Sequence, residues 1–273
     1  MGLLNFFHNF EPNPVLVFVG SWPIYWYGLC MVLGMAAALL VTIKLTELYK
    51  LSPDLVFDLA FWLIIGGLIG ARVYEIFLLL PFYLDNPWQM IRIWEGGLAI
   101  HGGIIAGALI TFYYARRQKI SFWKLGSIMV PGLALGQAIG RWGNYFNQEL
   151  YGLPTGLPWG IFISPANRPE IYLSHTHFHP TFLYESLGLI LIFAILFYSA
   201  LLKPLGSRFF LWSVCFYVLS YSLLRFGLEF IKLDETPIIL GWRWPQLISL
   251  LLIVGSLLLY FYKSHDIQHQ NTK

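Results

Sequence analysis

Apolar positions in this chain come in long unbroken runs, where a soluble fold would alternate polar and apolar residues at helical or strand spacing. A helix needs about 20 apolar residues to cross roughly 30 Å of hydrocarbon, and by that ruler there are about seven candidate spans. They cover 23–44, 55–80, 98–115, 122–140, 181–202, 209–230 and 246–262. Gly66, Gly67 and Gly70 interrupt the second run, and Pro131 and Gly132 the fourth. Membrane helices tolerate such breakers where neighbours re-satisfy the backbone. Residues 141–180, between the fourth and fifth runs, are rich in Gly, Pro, Asn and Trp. They lack the Ser/Lys/Glu bias of disorder, so an ordered insertion is expected. Neither an internal repeat nor the paired broken helices of inverted-repeat transporters is visible. The pattern predicts an all-α membrane protein forming a single integral membrane domain over residues 1–273.

Composition agrees. Of the 273 residues, 58% are hydrophobic and 11% charged, against about 25% charged in soluble domains. Mean hydropathy is +0.65. Lys44 and Lys50 follow the first run, and Arg116, Arg117, Lys119 and Lys124 lie between the third and fourth. Lys203 and Arg208 lie between the fifth and sixth, and Lys263 follows the seventh. With seven spans these loops share one side, which the positive-inside rule makes cytoplasmic. The N-terminus and the 141–180 insertion are then periplasmic, and the C-terminus cytoplasmic. No Lys or Arg precedes the first run, so no cleaved signal is expected. The net charge of +3 and the lack of a basic, aromatic-studded run give no reason to expect nucleic acid. Cys30 and Cys215 sit in apolar runs without CxxC spacing and read as inert buried thiols.

Against that background, Arg72, Arg92, Arg141, Arg168, Arg225, Lys232 and Arg243 stand out, because they fall inside spans or on the outer side. Topology does not ask for them there. Planar, bidentate recognition of phosphate or carboxylate would. Arg141, Asn144 and Gln148 in GRWGNYFNQELYG (140–152) share a face if the fourth helix continues, with Asn147 and Glu149 following. Tyr221, Arg225 and Glu229 are spaced i, i+4, i+8 on the sixth span. An intramembrane Arg is a functional candidate, and a structural Arg225–Glu229 pair is its rival. Arg72 and Glu75 read as structural pairing. In WEGGLAIHGGIIAG (94–107), His101 is either a proton acceptor near pH 7 or a structural imidazole. Trp26, Tyr27 and Gly28 in the first span and Gln246 in the seventh complete the polar set. His175, His177 and His179 form HxHxH, but the stretch reads as loop and no metal is expected.

HGGIIAG at 101–107, GRWGNYFNQELYG at 140–152, HPTFLYE at 179–185 and the Tyr221, Arg225, Glu229 triplet resemble the bacterial prolipoprotein diacylglyceryl transferases. The likeness runs from WYGL at 26–29 to the region of Gln246. It implies seven transmembrane helices in the bacterial cytoplasmic (inner) membrane, with the active site towards the periplasm. It also implies transfer of the diacylglyceryl group of phosphatidylglycerol to the lipobox cysteine of a preprolipoprotein. The product is a thioether, glycerol phosphate leaves, and no cofactor is expected. The family's functional positions fall here on Tyr27, His101, Arg141, Asn144, Glu149, Gly152, Glu185, Tyr221, Arg225 and Glu229. Around Gln246 this chain reads Trp244, Pro245, Gln246, where a small or Gly-containing approach is the family's habit.

The chemistry points the same way. An anionic phospholipid needs arginines at membrane depth, and breaking its glycerol C–O bond needs the departing phosphate stabilised. The acceptor thiol, with a pKa near ~8.5, attacks as thiolate and needs a base or a positive field. Neither a Walker motif nor GxSxG is present, so direct displacement is expected. Arg141 with Asn144 would bind the phosphate and glycerol head group; Arg225, set by Glu229 and Tyr221, would stabilise the leaving phosphate; Glu149, Gly152 and Glu185 are further substrate-binding positions that the resemblance implies. His101 or Tyr27 would take the thiol proton or orient the head group. A transporter or channel for an anionic lipid also needs intramembrane Arg and is the alternative. An intramembrane protease would need Ser with His or paired Asp; only Asp58 lies inside a run, and Ser127 and Ser186 carry no nucleophile motif.

Overall fold

The computed structural model describes residues 8–202 and 205–271, with side chains to residue 266. Residues 1–7, part of the stretch read for a leader, and Lys203, counted for orientation, lie outside the described residues. A short hairpin, β1 (Val15–Val19) and β2 (Trp22–Tyr25), leads into helix α1 (Trp26–Leu48). Residues 23–25, assigned above to the first span, therefore pair as strand. Val15, Val17 and Val19 alternating with Leu16 and Phe18, and the Gly20 turn at φ 62°, make this a hairpin before the helix begins. Then come α2 (Asp54–Leu78), the short α3 (Leu80–Asp85), α4 (Ile100–Arg117) and α5 (Phe122–Phe146). After two-residue strands β3 (Ile161–Phe162) and β4 (His177–Phe178) come α6 (Thr181–Leu202) and α7 (Ser207–Leu228). The hairpin β5 (Ile238–Ile239) and β6 (Trp242–Arg243) precedes the last helix, α8 (Trp244–Asn271).

Helices α1, α2, α6, α7 and α8 are long and apolar enough to cross a membrane. Their outward residues are the large apolar ones, such as Leu40, Phe61, Leu191, Leu251 and Phe261. Buried positions include small polar ones, Ser213, Ser222, Ser249 and Ser256. Ser213 and Ser249 donate to the carbonyls of Phe209 and Pro245 one turn back, at 2.9 and 2.7 Å. That is the habit of helices whose solvent is lipid, where a polar side chain must find its partner in the protein. Helix α4 carries His101, Gly102, Gly103, Gly107 and an Arg116–Arg117 end, and α5 carries Lys124, Gln137, Arg141 and Asn144. Both are less apolar for that reason. Helix α5 also runs straight through Pro131 and ends at Phe146, six residues beyond the expected boundary.

The chain forms two compact units, residues 42–128 and residues 1–41 with 129–273. In the first, α2 packs along α4. A Cβ on Gly102 would collide with the Gly70 carbonyl and with Tyr74 Cβ, so this glycine of the HGG motif serves helix–helix approach. Arg72 does not pair with Glu75, contrary to the expectation above. Its guanidinium donates to Met90 O at 3.0 Å and to Gly96 O and Gly97 O at 2.7 Å, with Gln89 O and Arg92 O as further acceptors. It also lies 5.2 Å from the Tyr83 ring centroid. The fork of donors fits carbonyls of a folded-back segment better than it fits one carboxylate on the same helix.

In the second unit Val130, Ala134 and Ala138 of α5 pack with Leu189, Ile192 and Leu196 of α6 and Tyr217 of α7. A second core of Tyr145, Tyr151, Ile161, Ile163, Phe178 and Phe182 gives the segment after α5 its order. That segment is 147–180, with β3 and β4 paired antiparallel.

Candidate active site

Glu185 sits one turn into α6, which starts at Thr181 directly after Pro180. It is 1% exposed and faces three cations. Arg141 Nη2 of α5 is 2.5 Å from Glu185 Oε1, Arg225 Nη1 of α7 is 3.7 Å from Oε2, and Lys232 Nζ is 3.3 Å from Oε2. Arg141 also donates to the Tyr221 hydroxyl at 3.4 Å, and that hydroxyl donates to Glu185 Oε1 at 3.5 Å. Ser186, the next residue, donates to Ala138 O at 2.9 Å and ties α6 to α5 beside Arg141.

A second carboxylate continues the network. Glu229, fully buried, lies 3.3 Å from Arg225 Nη2 and 3.0 Å from Arg243 Nε. These are ion pairs without the alignment of hydrogen bonds, since neither Glu229 oxygen is hydrogen-bonded. Arg243 also pairs with Asp234 at 3.7 Å and donates to Thr236 at 3.0 Å and to the carbonyls of Lys232 and Asp234. The i, i+4, i+8 spacing of Tyr221, Arg225 and Glu229 therefore does put one face of α7 into the cluster. Lys232 and Arg243, noted in the sequence only as misplaced cations, are members of it. The signal that could have found them was their charge on the wrong side of the positive-inside pattern.

Lys232 is held by the backbone. Gly152 N donates to His179 O at 2.9 Å, Leu153 N to Ile231 O at 2.8 Å and Leu233 N to Tyr151 O at 3.3 Å. A Cβ on Gly152 would lie 2.8 Å from Ile231 O and 2.9 Å from His179 Cβ. Gly152 thus lets two stretches of main chain touch where Lys232 turns towards Glu185. Burial pushes the Lys232 ammonium below its ordinary pKa, and Glu185 opposes that shift.

At the end of α5, Asn144 is buried and its amide donates to Glu149 Oε1 at 2.7 Å, leaving its own carbonyl oxygen free to accept. Gln148 is not on this face. The helix has ended, Gln148 adopts φ 51°, and its oxygen accepts from Ser164 N at 2.6 Å and Asn167 Nδ2 at 3.3 Å. It clasps the outer segment. Tyr27, in the first turn of α1, lies against Gly143, where a Cβ would stand 2.7 Å from its ring. Trp26 stacks on Phe146 at 4.5 Å. His101 belongs to the other compact unit, where it is exposed at the start of α4 with its ring 6.0 Å from Tyr74. Gln246 is accounted for by helix capping, because its side chain accepts from Arg243 N at 3.1 Å, three residues back at the start of α8. Of the histidine run, His177 stacks on His8 at 3.8 Å and His179 bonds to the Tyr184 hydroxyl at 3.1 Å.

The charge count decides what this arrangement suits. Arg141, Arg225, Lys232 and Arg243 stand against Glu185, Glu229 and Asp234, an excess of positive charge. Burying ions costs several kcal/mol each even when paired, and an apolar core of the same volume is often as stable. Glu185 and Glu229 are buried, whereas Arg141 and Arg225 keep 20% and 19% of their side-chain surface exposed; Arg243, 22% exposed, is taken up by Glu229, by Asp234 (itself 18% exposed) and by backbone carbonyls. Two partly exposed guanidiniums braced from behind by buried carboxylates have the donor geometry to take an oxyanion such as phosphate bidentately.

The profile of the prolipoprotein diacylglyceryl transferase family matches residues 14–262. Proteins named phosphatidylglycerol–prolipoprotein diacylglyceryl transferase are similar over nearly the whole chain. One from Gloeobacter violaceus is 41% identical over 250 residues, covering 89% of this chain and 90% of its own. One from a Nostoc species is 40% identical over 248 residues, covering 88% and 85%, and one from Synechococcus elongatus 39% over 252 residues, covering 91% and 86%. By profile and by identity, this chain belongs to the prolipoprotein diacylglyceryl transferase family.

Proposed function

We propose that this protein transfers the diacylglyceryl group of phosphatidylglycerol to the lipobox cysteine thiol of preprolipoproteins, the first step of bacterial lipoprotein maturation. The observation that carries the reading is the pair of partly exposed arginines, Arg141 and Arg225, braced on the buried Glu185. Together they hold the phosphodiester of the lipid. The thiolate sulfur attacks the glycerol carbon that bears the phosphate, the carbon–oxygen bond breaks, and glycerol phosphate departs with its negative charge facing Arg225. Asn144, held by Glu149, accepts from the head-group hydroxyls with its free carbonyl oxygen. Glu229 and Tyr221 fix the guanidinium planes of Arg225 and Arg141. Tyr27, which shares a compact unit with both arginines, orients the head group. His101, which belongs to the other compact unit, is assigned as acceptor of the thiol proton on the resemblance of HGGIIAG to the family's motif and not on a distance to the arginines.

The chain works as one membrane domain with seven spans, α4 and α5 crossing together with the five more apolar helices, in the bacterial inner membrane. The N-terminus and the 147–180 segment face the periplasm, with the active site towards that side. Basic residues at the α4–α5 connection, Arg116, Arg117, Lys119 and Lys124, support that orientation. Complementation of a transferase-depleted strain, with lipidation of a model lipobox peptide as readout, tests the arginines. Arg141→Ala and Arg225→Ala should each lower lipidation at least about hundredfold, the usual cost of removing a charge-stabilising donor. Full lipidation in both variants refutes the assignment.

A further inference from the structure

The polar cluster does not stop at Arg141. One helical turn back towards the middle of α5, Gln137 accepts a hydrogen bond from the Tyr217 hydroxyl at 2.8 Å. Tyr217 lies one turn from Tyr221 on α7, and the two rings stack at 6.2 Å with an interplanar angle of 6°. A second polar layer, Gln137 with Tyr217, thus sits under the first layer of Arg141 with Tyr221. The layers are offset by one turn, about 5.4 Å along each helix.

The Gln137 oxygen is occupied by Tyr217, which orients the amide and leaves its two N–H donors over. Among the described residues no acceptor meets them, and the amide nitrogen is not sealed in, since Gln137 is only partly buried. In hydrocarbon an unmet amide donor is costly, and no water replaces the partner. Tyr217, by contrast, is 8% exposed and faces the apolar cluster of Leu189, Ile192 and Leu196. It is locked in place, so the amide it holds is locked too.

We infer that Gln137 is the contact for an ester carbonyl of the phospholipid's acyl chains, and so tells a diacyl lipid from one without ester carbonyls. The inference rests on the transferase reading, which puts the phosphate on Arg141 and Arg225. In a glycerophospholipid the ester carbonyls lie deeper than the phosphate by the length of the glycerol unit. An acceptor without a donor of its own is then brought to the depth of a donor without an acceptor. The lipobox peptide also carries carbonyls in its backbone, so the lipid's contribution is read by changing the lipid while the peptide is held constant.

The test uses the full chain, purified in detergent, with a lipobox peptide as acceptor. Glycerol phosphate release is measured from diacyl phosphatidylglycerol and from its dialkyl ether analogue, which has the same head group and no ester carbonyl. Wild type should favour the diester severalfold to about tenfold, the scale of one hydrogen bond. Gln137→Leu should lose that preference by slowing the diester reaction and sparing the diether one. Tyr217→Phe, which frees the amide without removing it, should shift the ratio the same way by less. Equal loss on both lipids, or an unchanged ratio in Gln137→Leu, overturns the inference and leaves the transferase reading standing. Were Gln137→Leu not to fold, an unchanged ratio in Tyr217→Phe would overturn it. Failure of folded wild type to release glycerol phosphate from either lipid would instead refute the transferase reading itself.

Discussion

Glu185 is the residue on which most of the site depends, because Arg141, Arg225 and Lys232 all find their counter-charge on its two oxygens. It is 1% exposed, so removing its charge takes the counter-ion from Arg141 and from the buried Lys232 and leaves Arg225 with Glu229 alone. Breaking a buried ion pair in this way costs about 3–5 kcal/mol. Glu185→Gln should therefore unfold at a clearly lower temperature in detergent and lose lipidation activity together. A thermal scan showing wild-type stability would mean that the arginines do not lean on this carboxylate. Residues of this cluster were unequally legible in the sequence. Tyr221, Arg225 and Glu229 share one helix, and helical spacing alone puts them on one face. Glu185 carries no local pattern of its own and was placed by its likeness to the family. Lys232 and Arg243 reach the cluster through irregular chain and the β5–β6 hairpin, whose path no spacing rule predicts.

At the scale of elements, the segment between α5 and α6 behaves as a small folded insert with its own core of Tyr151, Ile161, Ile163 and Phe178. Its ladder bonds carry Lys232 by way of Gly152. Two histidines in it are held neutral. Burial lowers the pKa of His177, helped by the neighbouring charges of His8 and Arg168, and burial lowers that of His179. A lowered value in the folded state means that folding excludes protons. The contribution to stability is complete above the ordinary value of 6.5 and lost as pH falls through the depressed one. Protection factors across 150–180, that is, exchange corrected for the base-catalysed intrinsic rate, should accordingly fall between pH 7 and pH 5, more than those in α6 or α7. Uniform behaviour along the chain would contradict this. The end of α5 shows why such inserts are hard to foresee. Arg141, Asn144 and Gln148 fit one helical face on paper, but the chain enters positive φ at Gln148 and turns that side chain onto Ser164.

At the scale of the molecule, many large apolar side chains are exposed, and among the described residues the ion pairs with a buried member all belong to the cluster around Glu185 and Glu229 or its Asp234 extension. Hydropathy runs revealed the five apolar helices within a few residues at most ends, because lipid-facing surface is written locally. Helices α4 and α5 are harder to read, since His101, Gln137, Arg141 and Asn144 make them less apolar. The proposed seven-span topology has a direct check. In intact cells, a membrane-impermeant thiol reagent should label Thr155→Cys, whereas Gln118→Cys should react only after permeabilisation. The reverse pattern would invert the orientation. The central claim is that the arginine cluster holds phosphatidylglycerol while a thiol displaces its phosphate. The most direct measurement follows glycerol phosphate released by the purified chain from phosphatidylglycerol with a lipobox peptide present. One glycerol phosphate should appear per thioether formed, none without the cysteine, and almost none in Arg141→Ala or Arg225→Ala. Release independent of the cysteine, or undiminished in both variants, would contradict the account.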